Sequence, residues 1–106
     1  MISDNFKNKI EERVKFLQNE KKRIVKDIVE HIEKIDFNHV NNSDTILEYK
    51  IKEENYIDKD AISDILKELK NIYKNYDLMI YIEPLPDKIH KLTVKFSLKN
   101  VISIKK

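Results

Sequence analysis

Not one of the 106 residues is glycine, and that absence limits the backbone before any pattern is read. Glycine alone enters the left-handed region without a steric penalty, so turns and helix stops here must use residues that tolerate it less well. Asparagine is the first substitute, and Asn38, Asn41, Asn42, Asn75 and Asn100 stand where turns are expected. The same absence removes whole function classes. A glycine-rich phosphate loop, a dinucleotide fingerprint and a nucleophile elbow each need glycine where backbone meets ligand. The chain also lacks cysteine, which excludes disulfides, thiolate zinc sites and a thiol nucleophile.

Two stretches near the C-terminus alternate with period two, the pattern of half-buried strands. The first is Asp77–Glu83. After a Pro84–Lys88 connector, the second sets Leu92, Val94, Phe96 and Leu98 on one parity and Lys91, Thr93, Lys95, Ser97 and Lys99 on the other. The apolar parity continues past Asn100 to Ile102 and Ile104, which predicts a long or bulged strand. Thr45–Ile51 reads as a third strand, with Leu47, Tyr49 and Ile51 facing one way and Ile46, Glu48 and Lys50 the other.

Two helices precede these strands in alternation. Residues 4–36 carry Phe6, Ile10, Val14, Leu17, Ile24, Ile28, Ile32 and Ile35 at helical spacing, with Ser3 or Asp4 as N-cap. Lys21 interrupts the stripe, but no glycine or proline stands there, so one continuous helix is expected. At 1.5 Å per residue it would be roughly 45–50 Å long, more than a three-stranded sheet can cover. Ile10, Leu17, Ile24 and His31 recur every seven residues, and Val14, Lys21, Ile28 and Ile35 form a second row. Such rows can make a coiled-coil seam. The second helix spans about Lys59–Asn75, with Asp58 as N-cap and Ile62, Ile65, Leu66, Leu69, Ile72, Tyr73 and Tyr76 on one face. Phe37–Asp44 is a loop.

The order is therefore α-β-α-β-β. It predicts a two-layer α+β fold in which both helices cover one face of a three-stranded mixed sheet, since a strand, a crossover helix and a strand run parallel. Residues 1–106 form a single domain, with the long helix at about 4–36 and the α+β core at about 45–104. Its 17 isoleucines exclude wholesale disorder.

No catalytic or metal-binding pattern stands out. His31, His39 and His90 lack paired metal-ligand spacing. Glu11–Glu12, Glu53–Glu54 and Asp58–Asp60–Asp64 read as solvated faces and caps, and Ser3, Ser43, Ser63 and Ser97 have no glycine-lined oxyanion turn. We therefore expect a protein that is not an enzyme, with no cofactor, metal or small-molecule substrate. Two surfaces remain. Ile10, Leu17, Ile24, Ile28 and His31 predict a protein interface, in the first instance with another copy of the chain. Lys50, Met79, Tyr81, Lys91, Thr93 and Lys95 form an open sheet face for nucleic acid or another partner, and residues 78–106 hold six lysines against two acids. Phe37, Val101 and Ile102 would extend that face. The main expectation is a protein-docking or assembly module, with nucleic-acid binding as the alternative. The start of the chain is charged rather than leader-like and no apolar run reaches about 18 residues, so the expected compartment is the cytoplasm, with no membrane. A Lys-, Ile- and Asn-rich chain is what an AT-rich genome encodes, which fits an accessory protein of a phage or mobile element.

Overall fold

The computed structural model describes residues 3–54 and 57–98; the expected strand continuation through Asn100 to Ile104, and Val101 and Ile102 of the apolar patch, lie outside them. Five main elements follow the expected order: α1 (Asp4–Glu33), β1 (Thr45–Lys52), α2 (Lys59–Ile72), β2 (Leu78–Leu85) and β3 (Ile89–Phe96). A short 3₁₀ turn, Phe37–His39, lies between α1 and β1.

Helix α1 is continuous. Ser3 caps it, its hydroxyl accepting from the Phe6 N–H at 3.2 Å. Lys21 does not break the stripe because its ammonium reaches Asp64 of α2 at 3.1 Å, leaving its methylene stem against the helix pair. The helix ends at Glu33, three residues short of the expected 36. Asp36 explains the stop, since its carboxylate accepts from the Asn38 N–H at 3.0 Å and draws the backbone into the 3₁₀ turn. In α2 the Asp58 side chain accepts from the Ala61 N–H at 2.8 Å, and the helix ends at Ile72 with Tyr73 as its C-cap.

The sheet order is β1-β3-β2 and both pairings are antiparallel. The expected mixed sheet is thus corrected. β1 and β2 do run in the same direction, as the crossover requires, but β3 enters between them and each neighbouring pair is opposed, a split β-α-β arrangement. The edges suit their residues. β2 carries Pro84, which a central strand would not tolerate, and β1 carries Glu48, Lys50 and Lys52. In β3, by contrast, Leu92, Thr93 and Val94 are all buried. A bulge between Thr45 and Leu47 also moves one residue. Ile46, expected on the open face, packs against the core instead.

Both helices cover one face. Ile24, Ile28 and Ile32 of α1 meet Ile62, Ile65 and Leu69 of α2 over Ile51, Ile80, Leu92 and Val94, with Ile57 closing the end. Each such side chain contributes about 1.5–3 kcal/mol on full burial. Lys21 meets Asp64 near the start of the contact, and Glu33 and Tyr73 share a hollow near its end, so the two helices run the same way. Before Leu17, neither the sheet nor α2 covers the apolar stripe of α1 among the described residues, although Arg13 faces the start of α2. Phe6, Ile10 and Val14 are 53%, 49% and 44% exposed, and the molecule measures 69 × 29 × 22 Å.

Without glycine, the left-handed positions among the described residues fall to Ser43, Asp87 and Lys88 (φ 76°, 65° and 59°) rather than to asparagine. Asn42 serves otherwise, its side-chain oxygen accepting from the Leu98 N–H at 2.8 Å. The β2–β3 loop narrows to Pro86–Lys88, with Leu85 paired to Ile89. Lys88 holds the place where such hairpins prefer glycine. Lys88→Gly is expected to raise stability by about 0.5–1 kcal/mol, because relief of the Cβ clash outweighs the added freedom of the unfolded chain. Urea denaturation checks it, and an unchanged or lower midpoint would refute it.

Tyr49 ties β1 to α1. Its hydroxyl donates to Asp27 at 2.7 Å, and its ring meets His31 edge-on at 6.1 Å. Burial, then the hydrogen bond to Asp27, push its pKa up to about 12. The folded value lies above the ordinary 10, so this stabilising contribution is complete below about pH 10 and is lost as pH rises towards 12. Tyr49→Phe should flatten that alkaline loss. Thermal midpoints of both proteins at about pH 9 and about pH 11 give the comparison, and parallel declines would count against it.

Candidate functional site

The row of α1 residues expected to meet a partner divides along the helix. Ile24 (5% exposed) and Ile28 (fully buried) belong to the chain's own core. They are unavailable to a partner, which corrects their place in the expected interface. His31 is exposed but turned to β1, its Nδ1 2.7 Å from the Asp27 carbonyl oxygen. Ile10 and Leu17 remain, one exposed and one half-buried. The physical reason is the sheet's extent, since the same spacing is core where the sheet underlies it and surface where it does not.

The surviving stripe is Phe6, Ile10, Val14 and Leu17, one residue per turn on one side of the helix. Phe6 and Val14 were absent from the expected interface although they share its periodicity. Phe16 is also exposed, on another side, with the Arg13 guanidinium 5.2 Å from its ring centre. At Leu17 the stripe runs into a notch of about 380 Å³ bounded by Arg13, Lys21 and the carboxylates Asp58, Asp60 and Asp64. Between α1 and α2, on the side away from the sheet, lies a groove of about 570 Å³. Val25, Val29, Ile65 and Ile72 make its apolar part, Lys22 and Lys26 one rim, Asp64 and Glu68 the other.

The open sheet face is assembled as three cross-strand rows: Glu48, Thr93 and Tyr81; Lys50, Lys91 and Glu83; Thr45, Lys95 and Met79. Much of its charge is met within the chain. Lys91 lies 3.6 Å from Glu48, and Lys95 sits 6.0 Å from the Tyr81 ring centre. Thr93 is 2% exposed, covered by its neighbours. Three lysines against two glutamates leave this face weakly basic.

Two further sites could not be read from spacing. His90 Nε2 lies 2.6 Å from Glu53, both side chains largely buried at the turn end of the sheet. At the opposite end, where α1 and α2 finish, Phe37, Tyr73, Tyr76 and Phe96 surround a hollow of about 410 Å³ together with Glu33 and Asp77. No helix among the described residues is long and apolar enough to cross a membrane. The chain matches no protein-family model, and neither the curated proteins nor the solved structures contain a significant match to it.

Proposed function

We propose that the chain is a non-enzymatic assembly module that pairs with a second copy of itself through the projecting half of α1. The observation that carries this is the stripe Phe6, Ile10, Val14 and Leu17, which continues the core's periodicity beyond the point where the described residues cover it. A second helix of the same kind is the complementary surface.

Antiparallel pairing is favoured. Helix α2 begins beside the stripe at Leu17, so a parallel partner would run into it, whereas an antiparallel one keeps the two bodies at opposite ends. The shared segment, about residues 4–20, gives roughly 25 Å of helix. It also brings Lys7 and Lys9 of each copy towards Asp58, Asp60 and Asp64 of the other, a charge complement to the notch.

The stripe residues start about half-buried. Eight of them therefore add roughly 6–12 kcal/mol against an association cost of about 4–15 kcal/mol. This points to a concentration-dependent dimer. Sedimentation equilibrium from micromolar to near-millimolar protein should show mass rising from 12.8 kDa towards twice that value. A constant monomer mass over that range would overturn the proposal.

A further inference from the structure

We propose that the outer edge of β2 takes up, as a fourth strand, an extended peptide of another protein in which acidic residues alternate with apolar ones. This edge shares no residue with the pairing stripe of α1, and the proposal stands without it.

The backbone of this edge is open. The Ser97 N–H donates to the Asp77 carbonyl at 2.9 Å, which sets the phase of the ladder between β2 and β3. Pairing then runs without a bulge from Leu78 with Phe96 to Leu85 with Ile89. Met79, Tyr81, Glu83 and Leu85 therefore turn their N–H and carbonyl groups towards β3. Leu78, Ile80 and Ile82 turn theirs outward, as does Pro84, whose missing N–H costs the ladder nothing there. No strand lies beyond β2 among the described residues, and none of their loop and turn hydrogen bonds reaches Leu78, Ile80 or Ile82. The other edge is guarded. The Phe96 N–H donates to the Asp44 carbonyl at 2.9 Å, so β1 turns Glu48, Lys50 and Lys52 outward, and a bulge interrupts its start. Charges and bulges discourage a further strand. The outer edge of β2 instead offers Leu78–Ile82, a run without a charge.

The charge beside the edge selects the guest. Lys67 and Lys70 of α2, with Lys74 just past its end, follow at spacings of three and four and form one row. That row lies on the flank opposite the one carrying Asp64, Ile65, Glu68 and Ile72, which faces α1. All three lysines are exposed, and none has an ion pair among the described residues. Lys70 and Lys74 border a hollow of about 370 Å³ together with Leu78, Met79 and Ile80, which places them at the edge. In antiparallel pairing, directly opposed residues share a face of the sheet. Guest residues opposite Leu78, Ile80 and Ile82 thus project on the helix side, where the lysine row calls for carboxylates. Those opposite Met79 and Tyr81 project on the open face, where Met79 is 49% exposed and calls for apolar contact. A second copy of β2 is a poor guest, because edge-to-edge pairing would set two lysine rows against each other across the seam. A basic peptide meets the same repulsion.

The test titrates the intact protein with acetyl-Thr-Glu-Val-Glu-Val-Glu-Thr-amide. The comparators are its lysine counterpart, the same acidic peptide N-methylated at each glutamate, and oligothymidylate. Amide chemical shifts give the affinity, and hydrogen exchange gives the geometry. The acidic peptide should bind about tenfold more tightly than the lysine peptide. At saturation it should slow exchange of the Leu78, Ile80 and Ile82 amides about tenfold, with little change at Met79, Tyr81 and Glu83. N-methylation keeps the charge but removes the N–H groups that would face the edge, so it should abolish binding. Lys70→Gln combined with Lys74→Gln, both at exposed positions, should weaken binding about fivefold while the rest of the spectrum stays in place. No saturable binding of the acidic peptide, or undiminished binding of its N-methylated form, would overturn the proposal. So would tighter binding of oligothymidylate at the same amides, which would assign the lysines to nucleic acid. Protection of these amides that grows with protein concentration alone would also overturn it and assign the edge to a second copy.

Discussion

Ile28→Ala should lower the unfolding free energy by about 2–5 kcal/mol, the largest loss expected from any single truncation in α1. Ile28 is fully buried in the cluster that joins both helices to the sheet. The deleted atoms lose their transfer energy, and the cavity adds to it because α2 and the sheet hold the site open. A domain of this size has only about 5–15 kcal/mol in total, so the midpoint of thermal unfolding should fall by roughly 10–20 °C. Urea unfolding followed by far-ultraviolet circular dichroism would show a lower midpoint with an unchanged slope. A loss below about 1 kcal/mol would mean that Ile28 is not packed as described.

Ile10→Asp combined with Val14→Asp should do the reverse, leaving the fold in place and abolishing self-association. In the monomer both side chains are nearly half-exposed, so the aspartates remain solvated and cost only the lower helix propensity, about 0.5–0.7 kcal/mol each. In the proposed dimer four carboxylates would enter one apolar seam close to one another, which costs several kcal/mol. Light scattering should therefore give a monomer at every concentration, with a thermal midpoint close to that of the wild type measured at low concentration. A dimer that persists would place the interface elsewhere. Together with Ile28→Ala, this double substitution separates the two halves of one stripe.

Periodicity alone made the elements legible. The spacing of Phe6 through Ile32 and of Ile62 through Leu69 marks both helices, and the alternation of Leu92, Val94 and Phe96 marks β3. What periodicity does not contain is extent. Ile10 and Ile24 occupy equivalent turns, and only the position of the sheet makes one surface and the other core. Strand order was also hidden, because alternation tells a strand which way to face and not which neighbour to take. Pro84 was the available signal, since a proline inside a strand marks an edge. The bulge at Ile46 left no trace in the pattern, and the left-handed residues went to Ser43, Asp87 and Lys88 because loop geometry outranked residue preference. The aromatic hollow draws Phe37, Tyr73, Tyr76 and Phe96 from three separate parts of the chain, so no local spacing announces it.

The central place of β3 has a consequence for how the protein is made. Synthesis proceeds from the N-terminus, and β1 and β2 share no ladder with each other. Among the described residues, every strand-to-strand ladder therefore waits for Ile89–Phe96 to leave the ribosome, by which time both amphipathic helices have already emerged without the central strand of the sheet they cover. Until then the α1–β1 and α2–β2 halves can meet only through their helices, by the packing of Ile24, Ile28 and Ile32 on Ile62, Ile65 and Leu69 and the Lys21–Asp64 pair. The arrival of β3 joins β1 to β2 and completes the core in one event.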